Sequence, residues 1–363
     1  MNDEYYMKLA LELARAVKGQ TYPNPPVGAV IVKNGMIRGL GAHLKYGEAH
    51  AEVHALEMAG ENAVGATLYV TLEPCSHVGK TPSCAQHIID CRVSRVVIAT
   101  MDLHEKVAGK GINMLQEAGV KVDVGILSDE TAEVNEVFFH YVKTRRPYVT
   151  MKTGVSLDGK IATATGESKY ITNKLARLDV HKYRHEHDAI LVGVNTILKD
   201  NPQLTTRLPN GGKNPVRVIL DTQLRTPPDA FVVTDQLAKT IIIVGSSVTQ
   251  EKISLYTERN HVEVFSVKQE RLVIEDVLAE LGKRGITSVF VEGGATVNDS
   301  FLRSGLIDKF VLYIAPKLIG GNESPTSIGG IGIPNLIDAL PMDIVSVKQI
   351  GKNVKIVAKN RGG

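Results

Sequence analysis

Short β-branched runs alternate with amphipathic helical patterns along almost the whole chain. In the first half, apolar residues recur at three- and four-residue spacing over positions 3–18 and predict a helix. Asn34-Gly35 follows between two apolar runs and is a strong signal for a β-hairpin. Strand and helix patterns then alternate up to a closing helix predicted over Asp129–Val142. This alternation predicts an α/β fold.

A second α/β pattern begins after the segment 145–147. Pro147 ends the preceding helix, and strand-like runs resume at Tyr148 with helical patterns between them. A chain of 363 residues is long enough for each half to bury its own core. We therefore predict two domains, at residues 1–146 and 147–363.

One imidazole and two thiols in the first half form a pattern suited to a metal. His50 precedes Glu52 by two positions, Cys75 follows a predicted strand, and Cys84 begins a predicted helix. Such a soft ligand set suits zinc. Three protein ligands leave one tetrahedral position for water, which ionises near neutral pH when zinc-bound. His-x-Glu followed by Pro-Cys and a second Cys is the signature of zinc-dependent nucleobase deaminases, with Glu52 as the proton shuttle.

Other interpretations of this pattern stay open at this point. Cys75 and Cys84 are also compatible with ordinary buried thiols. A closed structural zinc site would need a fourth ligand, for which the candidates are His54, His77 and His87. A zincin site would need His-Glu-x-x-His, and the glutamate here is one position away from that pattern.

Composition limits the classes of partner and compartment. A net charge of +3 without a Lys/Arg block argues against a nucleic-acid partner. The apolar runs are too short to span a membrane, and no leader-like segment follows the acidic N-terminus. Of the three cysteines, two belong to the metal motif and Cys91 is expected to have no role. We expect a cytoplasmic protein that acts on a small molecule.

The second half carries weaker signals. It lacks the Gly-x-Gly-x-x-Gly fingerprint of dinucleotide-binding Rossmann folds. Glu292-Gly293-Gly294 lies between a predicted strand, Ser288–Val291, and a predicted helix, Ala295–Arg303. Such glycines let backbone N–H groups approach a phosphate, but a tight structural turn fits equally well. Asp200-Asn201-Pro202 with Arg207 is compatible with a binding turn or with a surface loop.

Short motifs in both halves carry a family resemblance. In the first half they are Asn24-Pro25-Pro26-Val27-Gly28, His50-Ala51-Glu52-Val53-His54, Glu73-Pro74-Cys75-Ser76-His77, Gly79-Lys80-Thr81-Pro82-Ser83-Cys84 and Val107-Ala108-Gly109-Lys110-Gly111. In the second half they are Ser156-Leu157-Asp158-Gly159-Lys160, Ile171-Thr172, Val192-Gly193-Val194-Asn195-Thr196, Asp200-Asn201-Pro202, Val291-Glu292-Gly293-Gly294 and Ala315-Pro316-Lys317. Together they resemble bifunctional riboflavin-biosynthesis proteins, in which a deaminase is fused to a reductase. The long segment between the two zinc cysteines is specific to that family.

The resemblance implies a cytidine-deaminase-like αβα domain followed by a dihydrofolate-reductase-like α/β domain. It implies one zinc ion per chain, held by His50, Cys75 and Cys84, with Glu52 as the catalytic residue. The implied substrate is 2,5-diamino-6-ribosylamino-4(3H)-pyrimidinone 5′-phosphate, whose 2-amino group is hydrolysed. The implied contacts are Asn24 and His43 to the pyrimidine, and Lys80 and Asp102 to the ribose phosphate.

For the second domain, the resemblance implies hydride transfer from NADPH to C1′ of the ring-opened sugar imine. The product is 5-amino-6-(5-phosphoribitylamino)uracil. The implied cofactor contacts are Gly154, Tyr170, Thr196, Asp200, Thr222, Gly294, Ala295, Thr296, Val297, Asn298, Asp299 and Ser300. The implied substrate contacts are Ser168, Arg184, Leu204, Arg207, Glu292 and Lys152, the last close to the reacting sugar. Enzymes of this kind are often multimeric, so we expect a homo-oligomer.

The chain departs from the family pattern at two places. The family has Asp-Pro-Asn-Pro where this chain has Asp102-Leu103-His104-Glu105. Losing both prolines loosens the loop, and Glu105 adds a negative charge near an anionic substrate. Tyr170 stands where many relatives have Trp, and its smaller stacking surface is expected to alter affinity but not activity.

Two other functions are compatible with the zinc motif. One is a cytidine or tRNA-adenine deaminase with an unrelated appended domain. Near-neutral charge and the lack of interleaved basic and aromatic residues argue against a tRNA substrate. The other is a zinc-stabilised binding protein without catalysis.

Overall fold

The computed structural model describes residues 2–76, 83–103 and 108–361. The chain divides into two compact units, residues 1–145 and 146–363. The junction expected from Pro147 lies one residue later than this division.

The first unit is built around one mixed β-sheet. Its strands are β1 (Gly28–Lys33), β2 (Met36–Ala42), β3 (Thr67–Leu72), β4 (Arg95–Thr100) and β5 (Lys121–Val124). Its helices are α1 (Asp3–Ala16), α2 (Ala51–Ala59), α3 (Cys84–Asp90), α4 (Lys110–Glu117), α5 (Ser128–Val134) and α6 (Glu136–Thr144). The strand order is β2-β1-β3-β4-β5, in which β3, β4 and β5 are parallel and β1 is antiparallel to both of its neighbours.

Apolar clusters cover both faces of this sheet. Alternate residues of β1 point to opposite faces, as the pleat of a strand requires. Val30 packs with Met7 and Ala10 of α1 on one face. Ile31 packs on the other face in a cluster that includes residues of α2, α3 and α4. The αβα arrangement is therefore confirmed.

Helix α2 lies directly on strand β2. A Cβ atom at Gly41 would lie 2.0 Å from the carbonyl oxygen of Ala51, so this contact requires glycine. The close packing fixes the N-terminal end of α2, where His50 is the N-cap residue.

Two local predictions in this unit had opposite outcomes. The hairpin at Asn34-Gly35 is confirmed, since both residues have positive φ (53° and 73°) and join Lys33 to Met36. The single helix predicted over Asp129–Val142 is wrong. The chain leaves the helical conformation at Asn135 (φ −98°, ψ 14°), which separates α5 from α6. The helical spacing of apolar residues continues across Asn135, so the sequence pattern does not indicate the break.

The second unit contains a larger sheet. Its strands are β6 (Tyr148–Ser156), β7 (Ala189–Gly193), β8 (Val216–Leu220), β9 (Thr240–Val244), β10 (Val262–Ser266), β11 (Ser288–Val291), β12 (Lys309–Ala315), β13 (Met342–Ile350) and β14 (Asn353–Asn360). Its helices are α7 (Lys174–Glu186), α8 (Val194–Asp200), α9 (Phe231–Thr234), α10 (Gln250–Thr257), α11 (Ile274–Lys283) and α12 (Ala295–Ser304). The strand order is β10-β9-β8-β7-β11-β6-β12-β14-β13.

Strands β6 to β12 run parallel, and β14 and β13 are antiparallel additions at one edge. The carboxyl ends of parallel strands meet at one edge of a sheet, where ligands of open α/β folds usually bind. Thr222 follows β8 at this edge, Glu292 follows β11, and α8 begins directly after β7. None of the helices among the described residues combines the length and the hydropathy of a membrane-spanning segment.

Candidate active sites

Three potential metal ligands from separate elements converge in the first unit. His50 caps α2, Cys84 is the first residue of α3, and Cys75 follows β3. Nδ1 of His50 lies 3.2 Å from Sγ of Cys84 and 3.7 Å from Sγ of Cys75. Ligand atoms of a tetrahedral zinc ion at ordinary bond lengths lie about 3.5 Å apart. The donor atoms therefore have the spacing and chemistry of a zinc site.

The described residues supply three ligands to this cluster and not four. Among residues 2–76, 83–103 and 108–361, the group of potential metal ligands consists of His50, Cys75 and Cys84. His54 and His87 are not part of it, and His77 lies outside the described residues. An open fourth position is typical of catalytic zinc sites, whereas structural sites are closed.

Hydrogen bonds link the two cysteines directly. The backbone N–H of Cys84 donates to Sγ of Cys75 at 3.3 Å. A hydrogen bond from the Cys84 thiol is the largest influence on Cys75 and, despite burial, lowers the pKa of Cys75. Cys91, in contrast, is the C-cap residue at the opposite end of α3 and packs against the apolar core.

Glu52 lies in the first turn of α2 and is only 4% exposed. Burial raises the pKa of its carboxyl group, and its side chain hydrogen-bonds to Cys84. A buried carboxyl group that touches the ligand set without belonging to it is suited to proton transfer.

His43 and Asn24 are linked beside this site. Nδ1 of His43 lies 3.1 Å from the carbonyl oxygen of Ala49, and Nε2 lies 3.1 Å from Nδ2 of Asn24. A carbonyl only accepts, so Nδ1 donates to Ala49 and Nε2 accepts from the Asn24 amide. Burial lowers the pKa of His43, which favours this neutral form. The His43 ring also packs edge-on against His50.

Glu73, the first residue of the Glu73-Pro74-Cys75 motif, has a structural role that the sequence did not predict. Its buried carboxylate accepts the backbone N–H groups of Asp102 (3.3 Å), Gly109 (3.0 Å), Gly111 (3.0 Å) and Ile112 (3.3 Å). These bonds join the segment after β4 to the start of α4.

Gly111 makes this junction possible. A Cβ atom there would lie 2.0 Å from the carbonyl oxygen of Pro74, next to Cys75. The buried Asp102, whose N–H is bound by Glu73, is thereby held near Cys75. Lys80, His104 and Glu105 lie outside the described residues.

In the second unit, charged side chains gather at the carboxyl edge of the sheet. Arg184 on α7 donates from Nε to Oε1 of Glu292 at 2.6 Å, and Nζ of Lys152 lies 3.4 Å from Oε2. Arg184 also donates to the backbone oxygen of Thr205, and Arg207 donates to its hydroxyl group. Two cations therefore pair with one carboxylate, and the charge of the nearby Arg207 leaves excess positive charge for an anionic ligand.

Sequence reasoning missed His181, which supports this cluster. The backbone N–H of Arg207 donates to Nδ1 of His181 at 3.2 Å. Burial, followed by the charges of Arg184 and Arg207, lowers the pKa of His181 to about 4. The imidazole is therefore neutral at physiological pH and acts as an acceptor.

A cavity of about 760 Å³ opens at the same edge of the sheet. Its lining includes the expected cofactor contacts Thr196, Thr222, Gly294, Ala295, Thr296, Val297 and Ser300. It also includes residues that were not predicted, among them Asn195, Gln223, Arg225, Arg271 and Leu272. Such a volume is typical of a small-molecule or cofactor site.

Other expected contacts of the second unit lie outside this lining. Tyr170 is exposed, with the Arg177 guanidinium 4.2 Å from its ring centroid, and Asp200 pairs with Lys169. The side chain of Asn298 donates to Ser327, and Asp299 pairs with Arg303. The remaining positions are Gly154 on β6, the half-buried Ser168 and the buried Leu204, whose φ is 54°.

Comparisons with known proteins give a family match for each half of the chain. Residues 1–100 match the cytidine and deoxycytidylate deaminase zinc-binding region, and residues 147–356 match the RibD C-terminal domain. The riboflavin biosynthesis protein RibD of Bacillus amyloliquefaciens is 50% identical over 99% of this chain and 97% of its own length.

The chain belongs to the RibD family.

Solved RibD structures share this fold. Acinetobacter baumannii RibD has a TM-score of 0.89 at 37% identity, covering 99% of this chain and 98% of its own. A Thermotoga maritima protein described as a diaminohydroxyphosphoribosylaminopyrimidine deaminase/5-amino-6-(5-phosphoribosylamino)uracil reductase has a TM-score of 0.87 at 37% identity and the same coverage. The prediction of a bifunctional deaminase and reductase of riboflavin biosynthesis is thus confirmed for this RibD-family chain.

Proposed function

We propose that residues 1–146 deaminate 2,5-diamino-6-ribosylamino-4(3H)-pyrimidinone 5′-phosphate and that residues 147–363 then reduce its ribosyl group. The product is 5-amino-6-(5-phosphoribitylamino)uracil. The convergence of His50, Cys75 and Cys84 beside the buried Glu52 carries the proposal. A site of this kind in a RibD-family chain calls for hydrolysis of an amino group on a pyrimidine.

The ligand residues fit one zinc ion per chain. Their spacing matches tetrahedral coordination, and one imidazole with two cysteine sulfurs is a donor set that zinc favours. When bound, zinc would activate the water that attacks C2 of the pyrimidine. His50 and Cys84 are pinned at helix starts, which keeps the ligand set rigid.

Glu52 transfers the protons of the deamination. It takes a proton from the attacking water as the new C2–O bond forms, and it protonates the adjacent ring nitrogen. Glu52 next takes the proton of the new C2 hydroxyl group and delivers it to the amino group; the C2–N bond breaks as the C2=O bond forms, and ammonia leaves. Asn24 and the neutral His43 hold the pyrimidine, and Asp102 and Lys80 hold the ribose phosphate.

The charged cluster of the second unit orients the phosphorylated sugar. Arg184 and Arg207 present guanidinium groups, which can bind a phosphate through paired hydrogen bonds. Nζ of Lys152 lies 3.4 Å from Oε2 of Glu292 in the same cluster. We expect both side chains to contact the sugar near C1′. Ser168 and Leu204 complete the proposed substrate contacts.

The cavity of the second unit fits a nicotinamide dinucleotide. Helix α12 begins at its wall without a side-chain cap, and no atom lies within 4 Å of a Cβ built on Gly294. Uncapped N–H groups at a helix N-terminus are suited to a pyrophosphate. When bound, NADPH would supply the hydride that reduces C1′, and the imine nitrogen would take up a proton.

We also propose that the protein self-associates in the cytoplasm. The edge strand β13 exposes Ile344, Val345 and Val347, which a second copy would cover. Light scattering should give a mass above the 39.4 kDa of one chain. A reducing compartment keeps the zinc thiols available.

The function is tested in two separate assays. Zinc-loaded protein is given the diaminopyrimidine phosphate, and ammonia release is measured. Independently, the deaminated phosphoribosylaminouracil is supplied with NADPH, and NADPH oxidation is followed. The absence of ammonia would overturn the first half of the proposal, and the absence of oxidation would overturn the second.

A further inference from the structure

Two arginines with no role in the proposed chemistry line the cavity of the second unit. Arg225 follows β8, and Arg271 lies between β10 and α11. Nη2 of Arg225 donates to Oδ1 of Asn195 at 3.0 Å, which holds the side chain against the lining. Within residues 2–76, 83–103 and 108–361, Arg271 has no hydrogen-bond or ion-pair partner.

The strand order places both arginines on the same side of α12, towards the β10 edge of the sheet. Strands β11, β7 and β8 are successive neighbours, and β9 and β10 follow. With about 4.8 Å between neighbouring strands, the end of β8 lies roughly 10 Å from the end of β11. An adenosine group attached to a pyrophosphate at α12 can extend over this distance, so its ribose would reach the turn that carries Arg225.

The charge of the lining distinguishes between the two nicotinamide dinucleotides. Sites for NAD usually offer a carboxylate to the ribose 2′-hydroxyl group, whereas sites for NADP offer an arginine to the 2′-phosphate. Among the described residues that line this cavity, none is an aspartate or glutamate, and the charged ones are Arg225 and Arg271. Thr222 and Gln223 are neutral neighbours in the same turn.

We propose that Arg225 and Arg271 bind the 2′-phosphate of the cofactor and thereby make the reductase selective for NADPH over NADH. This inference rests on the proposed use of the cavity by a nicotinamide dinucleotide. Arg225, held by Asn195, is the pre-oriented contact, and the unpartnered Arg271 closes on the phosphate from the neighbouring loop.

Binding measurements on the full chain test the inference without any turnover. Titration calorimetry compares 2′,5′-ADP with 5′-AMP, and cofactor fluorescence compares NADPH with NADH. The proteins are the wild type, Arg225→Gln, Arg271→Gln and the double variant. Lys268→Gln is the matched control, because it removes a cation from the same loop but does not line the cavity.

The wild type should bind 2′,5′-ADP at least about tenfold more tightly than 5′-AMP, as a charged hydrogen bond to phosphate predicts. Each single substitution should reduce this ratio several-fold, and the double variant should bring it close to one with little change for 5′-AMP. Lys268→Gln should keep the wild-type ratio.

The outcomes separate this inference from the proposed function. If the wild type binds NADPH and NADH equally, or if the double variant keeps the full preference, the arginines do not select the cofactor. If the wild type binds neither dinucleotide, the cofactor site itself is misplaced and both proposals fail.

Discussion

Arg184 and Glu292 form a short charged contact at 2.6 Å between helix α7 and the residue that follows β11. Lys152, on the adjacent strand β6, approaches the other oxygen of the same carboxylate. Burial raises the pKa of Glu292, but the charges of Arg184 and Lys152 outweigh it and lower the pKa from 4.5 to about 2. The carboxylate is therefore ionised throughout the physiological range and anchors both cations at the proposed substrate site.

This pKa shift predicts a pH-dependent contribution to stability. Because the folded pKa of about 2 lies below the ordinary 4.5, the stabilisation is complete above pH 4.5 and disappears as the pH falls toward 2. It corresponds to about 3 kcal/mol. The difference in unfolding free energy between wild type and Glu292→Gln, measured by denaturant titration, should be constant above about pH 4.5 and shrink below it. Exposed Glu275→Gln is the control, and a difference that does not change with pH would contradict the assignment.

His181 is predicted to position Arg207 for the substrate phosphate. His181→Leu removes the acceptor for the Arg207 N–H, so the KM of the reductase reaction should rise about tenfold with kcat little changed. His181→Gln, whose side-chain oxygen can accept, should restore most of the affinity. His185→Leu is a matched control one turn along α7, since His185 accepts the N–H of Lys213 instead. An equal rise in KM for both leucine variants would argue for a general loss of structure.

The convergence of His50, Cys75 and Cys84 could be predicted because each residue lies next to a helix or strand that the local sequence pattern indicates. His50 and Cys84 stand at helix starts, and Cys75 follows a clear apolar strand, so spacing and residue type placed all three. The alternation of strand and helix patterns predicted the architecture of both units for the same local reason.

Other features depend on contacts between distant segments. Arg225 and Arg271 line one cavity only because β8 and β10 both pair with β9, and no local pattern encodes that order. The hairpin of β13 and β14 was not predicted, because β13 is largely exposed and lacks a clear alternation of buried and exposed residues.

Glu73 is predicted to organise the segment that carries Asp102. Glu73→Gln replaces one accepting oxygen with a donor, which opposes the backbone N–H groups that the carboxylate now binds. The unfolding free energy of the first unit should fall by about 2 kcal/mol, and the KM for the diaminopyrimidine should rise. Glu117→Gln, an exposed change at the end of α4, should leave both unchanged. Wild-type values for Glu73→Gln would show that the four bonds contribute little.

The assignment of the metal ligands predicts a contrast between two cysteines of one helix. Cys84→Ser should lower the zinc content measured by elemental analysis well below one per chain, because a hydroxyl group is a poor substitute for thiolate. Cys91→Ser, at the other end of α3, should retain stoichiometric zinc. His54→Asn should retain it as well, since His54 is not part of the ligand group. Loss of zinc from His54→Asn would instead indicate a closed structural site.

Substitution of Glu52 is predicted to reduce deamination without reducing zinc binding. Glu52→Gln keeps the shape of the side chain but removes its capacity to carry a proton, so kcat for deamination should fall by about 10²- to 10⁴-fold. Zinc content and melting temperature should stay close to wild type, and NADPH oxidation with the deaminated substrate should be unaffected. Glu57→Gln makes the same chemical change on the exposed face of α2 and should keep full deaminase activity. If Glu52→Gln loses its zinc or melts far below wild type while Glu57→Gln does not, Glu52 supports the site structurally and another group must move the proton.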